Sequence, residues 1–578
     1  MPAAPRSTSI LVLAAVFGCA TVAGWRLLWF LTDDAFIAFR YVSNHRQGFG
    51  WVWNPPPFAP VEGYSSFAWL VILDWIWALF GIEPPASATF VSLLCTLGSV
   101  VLTILMASRL VQGTRLAPAR VALVVAVGLG VGLNLTFLTW ASSGLETALF
   151  NLLVLAWVAA WTRSGAAGPA ALALAATTAA LAALVRPDGI LLALATALAG
   201  LGVAVRFPGR WRRLAALLPL LAVPIHFLWR RSVYGAWLPN TYYAKVTGDS
   251  RAWYGGLRYL TSFLLEYGLW FLLAVVFFAV WRQRRSLAAR DRPAWVVVPA
   301  ATLLVHILFY VLVAGGDFFE YRILSHLVPL LFLALLGALV WLGASPARAM
   351  AAMALAVLLE VPIPWLHWSY AHRLEIRAGV VTPLAPRLAA AAPWVPTLAW
   401  RYVTAWDDLQ AWLIGHYICV RRQEHKILVL DQFHLLSAPP AQPLRRRGDY
   451  LPVATMGAVG VPGWVYPKMA IIDDLGLNDY VVARNPVLRR GGLLAHARQP
   501  PPGYLDCFGP GIREHPVWVH DARIRFCESW YRTLLSHHQP LVAPPASLLP
   551  VDTPRSAAEA QTGRAAAATA NASVAPDR

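Results

Sequence analysis

The chain has 578 residues, 58% of them hydrophobic and only 13% charged, with a formal net charge of +18. So apolar a composition excludes a water-soluble globular protein of this length. The positive excess does not point to nucleic acid, because the basic residues cluster in short stretches between apolar runs and no helix-turn-helix, zinc-finger or RNA-binding signature accompanies them.

Apolar runs of about 18 residues or more recur from residue 9 to residue 364 and predict a polytopic all-α membrane domain. The first span, 9–31, ends in two adjacent carboxylates, Asp33 and Asp34. Val16-Phe17-Gly18-Cys19 faintly resembles a lipoprotein cleavage site, but the run continues too far for a signal core, so the span is read as retained. Residues 66–80 are apolar but short, hold Asp74 and three Trp, and read as a helix in the outer interface. Were this segment a span, the loop with Arg109, Arg115 and Arg120 would face outside, against the positive-inside rule.

Ten further spans follow: 86–107, 121–140, one ending at Trp161, 169–185, one ending at Val205, 214–229, one ending at Trp281, 295–314, one ending near Leu342, and 350–364. Arg206, Arg210, Arg212 and Arg213 then face the cytoplasm, as do Arg282, Arg284, Arg285, Arg290 and Arg292. Twelve acids precede Leu330, and only Asp291 falls in a predicted cytoplasmic loop. Acids do not set topology, so a shared polar, catalytic face is the simplest cause.

Beyond the membrane domain (1–364), residues 365–400 read as an amphipathic and linker segment. Residues 401–549 predict a small periplasmic α/β domain, with strands at 426–431, 453–459 and 469–473. Residues 550–578, rich in Ala, Pro and Thr, read as a disordered tail. Of five cysteines, Cys19 and Cys95 fall in spans, while Cys507 and Cys527 would pair if their domain lies in an oxidising compartment. No CxxC or Cys/His metal spacing is present.

A transferase using a polyprenyl-phosphate sugar needs a base near the acceptor hydroxyl, cations near the phosphate and an apolar groove for the lipid. The phosphodiester is already a good leaving group, so no general acid is demanded. Neighbouring residues on a helix point about 100° apart, so only one of Asp33 and Asp34 faces the reacting centre. Asp33 is read as the base, with Asp34 as an orienting group or metal ligand; a divalent metal is left open. Lys245 and Arg322 are the phosphate candidates, one a point charge and one a fork. Arg40 either joins them or neutralises the acids. Glu62, Tyr64, Glu146, Asn240, Tyr242, Tyr243 and Asp317 are candidate substrate contacts. Trp464 and Tyr466, among Gly457, Gly460 and Gly463, form a candidate platform for the acceptor glycan. An interfacial aromatic belt is the plain alternative for the tyrosines, and helix capping is that for Asp188. Arg445-Arg446-Arg447 and Arg489-Arg490 read as solvated surface charge.

Thr32-Asp33-Asp34-Ala35-Phe36-Ile37-Ala38-Phe39-Arg40-Tyr41, Val61-Glu62-Gly63-Tyr64-Ser65-Ser66-Phe67 and Ser143-Gly144-Leu145-Glu146-Thr147 together resemble the GT-C membrane glycosyltransferases. The match is closest to the terminal β-1,2-arabinofuranosyltransferase group of mycobacteria and its bacterial relatives, some labelled flagellar motor control. Leu184-Val185-Arg186-Pro187-Asp188-Gly189, the block from Leu238 to Lys245, Gly315-Gly316-Asp317-Phe318 and the block from Ile472 to Asp479 look like further pieces of the same pattern. The resemblance implies a decaprenyl-phosphate sugar donor, an extracytoplasmic glycan acceptor and a base at the Asp33-Asp34 position. It further implies a multi-pass protein of the bacterial inner membrane, with arabinofuranose the suggested sugar.

The competing reading is a non-enzymatic membrane protein, either a lipid-linked-sugar transporter or an envelope scaffold linked to motility. A transporter should show repeat symmetry and charges near the bilayer midplane, whereas the ionisable residues here gather at the outer lip. A scaffold has no reason to place acids, a lysine and an arginine on several converging loops.

Overall fold

A computed structural model of the chain describes residues 7–163, 168–246, 252–284, 294–372, 381–421, 448–486 and 498–550. Asp249, Asp291, the predicted strand at 426–431, the arginine runs at 445–447 and 489–490 and the tail after residue 550 lie outside the described residues. Among those described, six helices are long and apolar enough to cross a membrane: Ser9–Leu27, Pro84–Val111, Pro187–Arg206, Val296–Ala314, Arg322–Trp341 and Pro346–Ala371. Two helix pairs qualify only together. Arg210–Ala216 and Leu218–Tyr234 meet at 40°, and Ala252–Glu266 and Leu269–Arg282 at 95°. Ala117–Gly132, Thr147–Thr162 and Pro169–Val185 are shorter apolar helices, as is Phe67–Phe80 at the predicted interfacial position. The chain is a multi-pass membrane protein. Each predicted span position carries a helix, although three are short and two are bent.

Local chemistry explains how polar residues sit in these helices. Along Pro84–Val111 the hydroxyls of Thr96, Ser99 and Thr103 donate to the carbonyls four residues back, at 2.7–3.0 Å. These three hydroxyls are thereby satisfied within their own helix, as a lipid environment favours.

The first span is shorter than predicted. Its helix stops at Leu27. Residues 28–32 then run non-helically, with the Thr32 N–H donating to the Ser143 carbonyl at 3.1 Å. A new helix, Asp33–Arg46, opens with both acids in its first turn, where the helix dipole favours negative charge.

Three strands follow in the C-terminal part: β1 (Tyr450–Met456), β2 (Ala470–Asp473) and β3 (Val517–His520), ordered β2-β1-β3. β1 pairs parallel with β2 and antiparallel with β3. Side chains alternate between two cores, as the strand period requires. Leu451, Val453, Ala470 and Ile472 face a core built with Phe508, Ile524 and Tyr531. Ala454 and Ile471 face the other way, into a core shared with Phe36, Phe39, Trp53 and Trp69 of the membrane part. A disulfide joins Cys507 to Cys527. The domain boundary expected at residue 401 falls inside a helix, Thr397–Gly415. The stretch before it, 384–396, whose Ala and Pro content suits a linker or docking segment, is docked, since the Leu384 and Ala385 N–H groups donate to the Asp407 carboxylate.

Arg40 holds the sheet to the membrane part. It is fully buried, and all five of its N–H donors are used. They reach the carbonyls of Trp53, Gly463, Tyr466 and Met469 and the Asn54 side-chain oxygen. Its guanidinium also lies 4.6 Å from the Trp53 ring centre. Asn54 then brackets β2, accepting from the Ile471 N–H at 2.8 Å and donating to its carbonyl at 3.0 Å. Arg40→Ala takes the donor from the Gly463 and Met469 carbonyls, while those of Trp53 and Tyr466 keep bonds from Asn44 and the Met469 N–H; it is expected to cost about 3–5 kcal/mol, the usual scale for removing one side of a buried charged network. Limited proteolysis should show early release of the C-terminal part; a wild-type digestion pattern would contradict this anchoring role.

Candidate active site

Asp33 and Asp34 occupy the first turn of their helix but have different surroundings. Both oxygens of Asp33 accept backbone N–H bonds, from Gly460 at 3.0 Å and Val461 at 2.9 Å. These groups open the short helix Gly460–Val465, so Asp33 caps an element 427 residues away in sequence. A Cβ at Gly460 would lie 1.9 Å from the Asp33 carbonyl oxygen. Only glycine permits that approach. Burial pushes the Asp33 carboxyl from its ordinary 3.8 up to about 6, with the neighbouring Asp34 charge adding to the shift and the two backbone donors opposing it.

Asp34 is half-buried and accepts no hydrogen bond among the described residues. It faces a small cleft of about 40 Å³, lined also by Asp33, Ile37, Lys245, Phe318, Gly457, Val459, Asp473, Leu475 and Leu477. Asp473 belongs to this wall but its oxygens are taken. They accept from the Leu475 and Asn478 N–H groups and from the Asn478 side chain. Burial raises its pKa to about 7.

Lys245 ends the helix Asn240–Lys245 and has no ion pair among the described residues. Asn240, expected to touch substrate, instead clamps this helix to the C-terminal part. Its side-chain N–H₂ donates to the carbonyls of Gly476, Leu477 and Asp479, and its oxygen accepts from Arg484 at 2.7 Å. Arg484 in turn stacks between the rings of Tyr243 and Tyr480. Tyr243 is thereby spent on packing, and Tyr242 lies exposed against its edge.

Arg322 follows Tyr321, whose φ of 44° is left-handed and strained for a non-glycine residue. The Tyr321 hydroxyl is tied to Glu266, Ser262 and Gln410. Arg322 Nε donates to Asp317 at 3.1 Å, and its guanidinium lies 4.7 Å from the Phe319 ring centre. Its two terminal nitrogens make no hydrogen bond among the described residues. Arg322 feels the charges of Asp317, Arg186, Glu146 and Asp34.

The other predicted contacts are removed from the cleft. Glu146 pairs with Arg186 at 3.3 Å, and Arg186 also holds Asp188, which His306 and Tyr310 contact as well. Asp188 is therefore the hub of a buried polar cluster rather than a helix cap. Glu62 is buried against Arg230 at 2.6 Å. Tyr64 is buried with its hydroxyl 3.0 Å from that of Tyr234. Trp464 packs against Phe39 and Trp77, and Tyr466 contributes its carbonyl to Arg40. Neither forms an open platform on the cleft. Arg40 has no donor left for a phosphate.

Arg230 and Arg421 were not singled out by the sequence. Arg421 forks onto both oxygens of Glu266, at 2.9 and 3.0 Å, while Cys419 and Val420 donate to the Asp317 and Phe318 carbonyls. No motif surrounds Arg421 to reveal this. Asp473 and Gly457 were visible, in the 472–479 block and the glycine cluster. Among the described residues no group of three or more His, Cys, Asp or Glu side chains is placed to hold a metal ion.

No family model and no curated protein matches the chain. Its fold is similar to solved membrane proteins at low identity. ArnT from Cupriavidus metallidurans bound to undecaprenyl phosphate shares 16% identity over 82% of this chain and 88% of that one, with a TM-score of 0.49. The archaeal oligosaccharyltransferase AglB from Archaeoglobus fulgidus, in complex with an inhibitory peptide and a dolichol-phosphate, shares 14% over 81% and 65%, at 0.39. Arabinosyltransferase EmbB from Mycobacterium smegmatis shares 14% over 70% of this chain but only 41% of its own, at 0.36.

The Asp33 shift has a definite sign. A folded pKa above the unfolded value means the native state binds more protons between about pH 4 and 6, so Asp33 costs stability as pH rises through that window. The apparent melting temperature of the wild type should fall relative to that of Asp33→Asn across this range. A difference that is flat or drifts the other way would contradict the burial assigned to Asp33.

Proposed function

We propose that this protein is an inverting membrane glycosyltransferase that moves a sugar from a polyprenyl-phosphate donor to a hydroxyl of an extracytoplasmic glycan. One observation carries the reading: Asp34 and Lys245, a carboxylate and an ammonium that make no hydrogen bond or ion pair among the described residues, line the same cleft. Unpaired charges near a membrane are costly and are kept for function. Asp34, rather than the capping Asp33, is the base. It takes the proton from the acceptor hydroxyl as that oxygen attacks the anomeric carbon. The bond from that carbon to the phosphate oxygen breaks on the opposite face, and the polyprenyl phosphate leaves with the electron pair. Inversion follows from the single displacement.

Lys245 and Arg322 stabilise the phosphate. Arg322 suits this role because Asp317 holds only its Nε, which leaves both terminal nitrogens for phosphate oxygens. Asp317 orients the fork. Asp33 positions Asp34 by locking the first helical turn to Gly460 and Val461. The residue blocks that resemble GT-C enzymes make arabinofuranose the first sugar to test. The Cys507–Cys527 disulfide supports an oxidising, extracytoplasmic location for the cleft.

Purified protein should transfer radiolabelled sugar from decaprenyl-phosphate arabinofuranose to an arabino-oligosaccharide. Asp34→Asn should lower kcat by about 10²–10⁴-fold, the range for a lost general base, while donor binding persists. An Asp34→Asn enzyme at the wild-type rate would falsify the base assignment. Arg322→Ala should weaken binding of decaprenyl phosphate by at least tenfold; unchanged affinity would remove Arg322 from the phosphate site.

A further inference from the structure

The ten residues that line the cleft are not equivalent. Ile37, Val459 and Asp473 are buried, and Asp33, Asp34, Lys245, Phe318, Leu475 and Leu477 are half-buried. Gly457 is the one exposed lining residue among the described residues. It is therefore the lining residue most open to water. Phe318 lies at another part of the wall, next in sequence to Asp317, which holds Arg322. Gly457 thus shares the cleft wall with Asp34 and with Phe318 of the loop that presents Arg322.

Gly457 is not glycine for a backbone reason. Its φ lies outside the left-handed region, and a Cβ built there meets no atom within 4 Å. By contrast, a Cβ at Gly460 or Gly463, a few residues on, would collide with Asp33, Trp53 or Arg40. Those two glycines are required by packing, whereas a side chain at Gly457 would enter space that the described residues leave open.

We propose that Gly457 sets the size of acceptor the cleft admits, keeping the mouth clear for an oligosaccharide whose terminal hydroxyl reaches Asp34. This rests on the transferase reading. The C-terminal part would then govern acceptor choice from the rim, while the charged groups on the membrane side perform the chemistry. The acceptor class follows from the lining. Apolar surfaces of Ile37, Phe318, Val459, Leu475 and Leu477 suit the C–H faces of a sugar ring, and the open rim suits a chain that continues into water.

Two measurements separate this inference from the transferase reading. In the first, Gly457→Ala and Gly457→Trp are compared with wild type, using decaprenyl-phosphate arabinofuranose as donor and arabinofuranosides of one, four and eight sugars as acceptors. The acceptor KM should rise with side-chain size, by at least tenfold for Gly457→Trp on the eight-sugar acceptor and by less on the monosaccharide. Equal KM values for Gly457→Trp and wild type on every acceptor would overturn the proposal. So would an equal rise for all acceptor lengths.

The second measurement needs no sugar. Asp34→Cys in a Cys19→Ser background, with the remaining free cysteines Cys95 and Cys419 buried, is labelled with a water-soluble maleimide. Adding Gly457→Trp should slow labelling at least fivefold, with an unchanged melting temperature showing that the fold persists. Unchanged labelling would overturn the mouth assignment even if transfer is observed. If wild type transfers no sugar while labelling is slowed, the transferase reading fails and the mouth stands.

Discussion

The guanidinium of Arg40 is the constraint on which the rest depends. A buried cation without five acceptors would not be tolerated, and the acceptors come from two distant stretches, 53–54 and 463–469. Satisfying Arg40 therefore forces the C-terminal sheet onto the loop after the first span. Asp33 reinforces the same junction from the other side by capping Gly460–Val465. The cleft exists because these two pieces meet, since its walls come from both. An arginine and an aspartate that look like catalytic groups in the sequence are the fasteners that create the site.

The same rule of charge pairing sorts the remaining ionisable groups. Glu62 is matched by Arg230, Glu146 and Asp188 by Arg186, Asp317 by Arg322, and Glu266 and Glu320 by Arg421. Each pair removes an acid that proximity alone would have made a candidate. What remains at the cleft, among the described residues, is a carboxylate and a lysine that make no hydrogen bond or ion pair, with the half-committed Arg322 near enough to feel the Asp34 charge. Tyr321 and Arg421 show how that arginine is aimed. A strained backbone turn before Arg322 is held by hydroxyl bonds to buried Glu266, and Arg421 clamps the same glutamate. Strain of this kind persists only where the surroundings over-determine it.

Much of the architecture could be read from the chain, because its causes are local. Length and apolarity of a run decide whether it can cross a bilayer, and every predicted span position carries a helix. Alternation placed two of the strands within a few residues, whereas the 95° bend at Gly268, with φ of 60°, was not expected in what read as one span. The blocks around Asp33, Lys245 and Asp317 were likewise visible as clusters of unusual polarity at span ends.

Residue types and their order thus determined that this is a multi-pass membrane protein with acids, lysine and arginine gathered on a few loops. Tertiary structure alone decided the role of each. Whether a carboxylate is a base or a cap depends on which donors face it, and those donors are backbone groups at 460 and 461 that leave no mark in composition. Two neighbouring aspartates are chemically identical in the sequence. Only a helix arriving from more than four hundred residues away makes one a fastener and leaves the other without a hydrogen bond among the described residues.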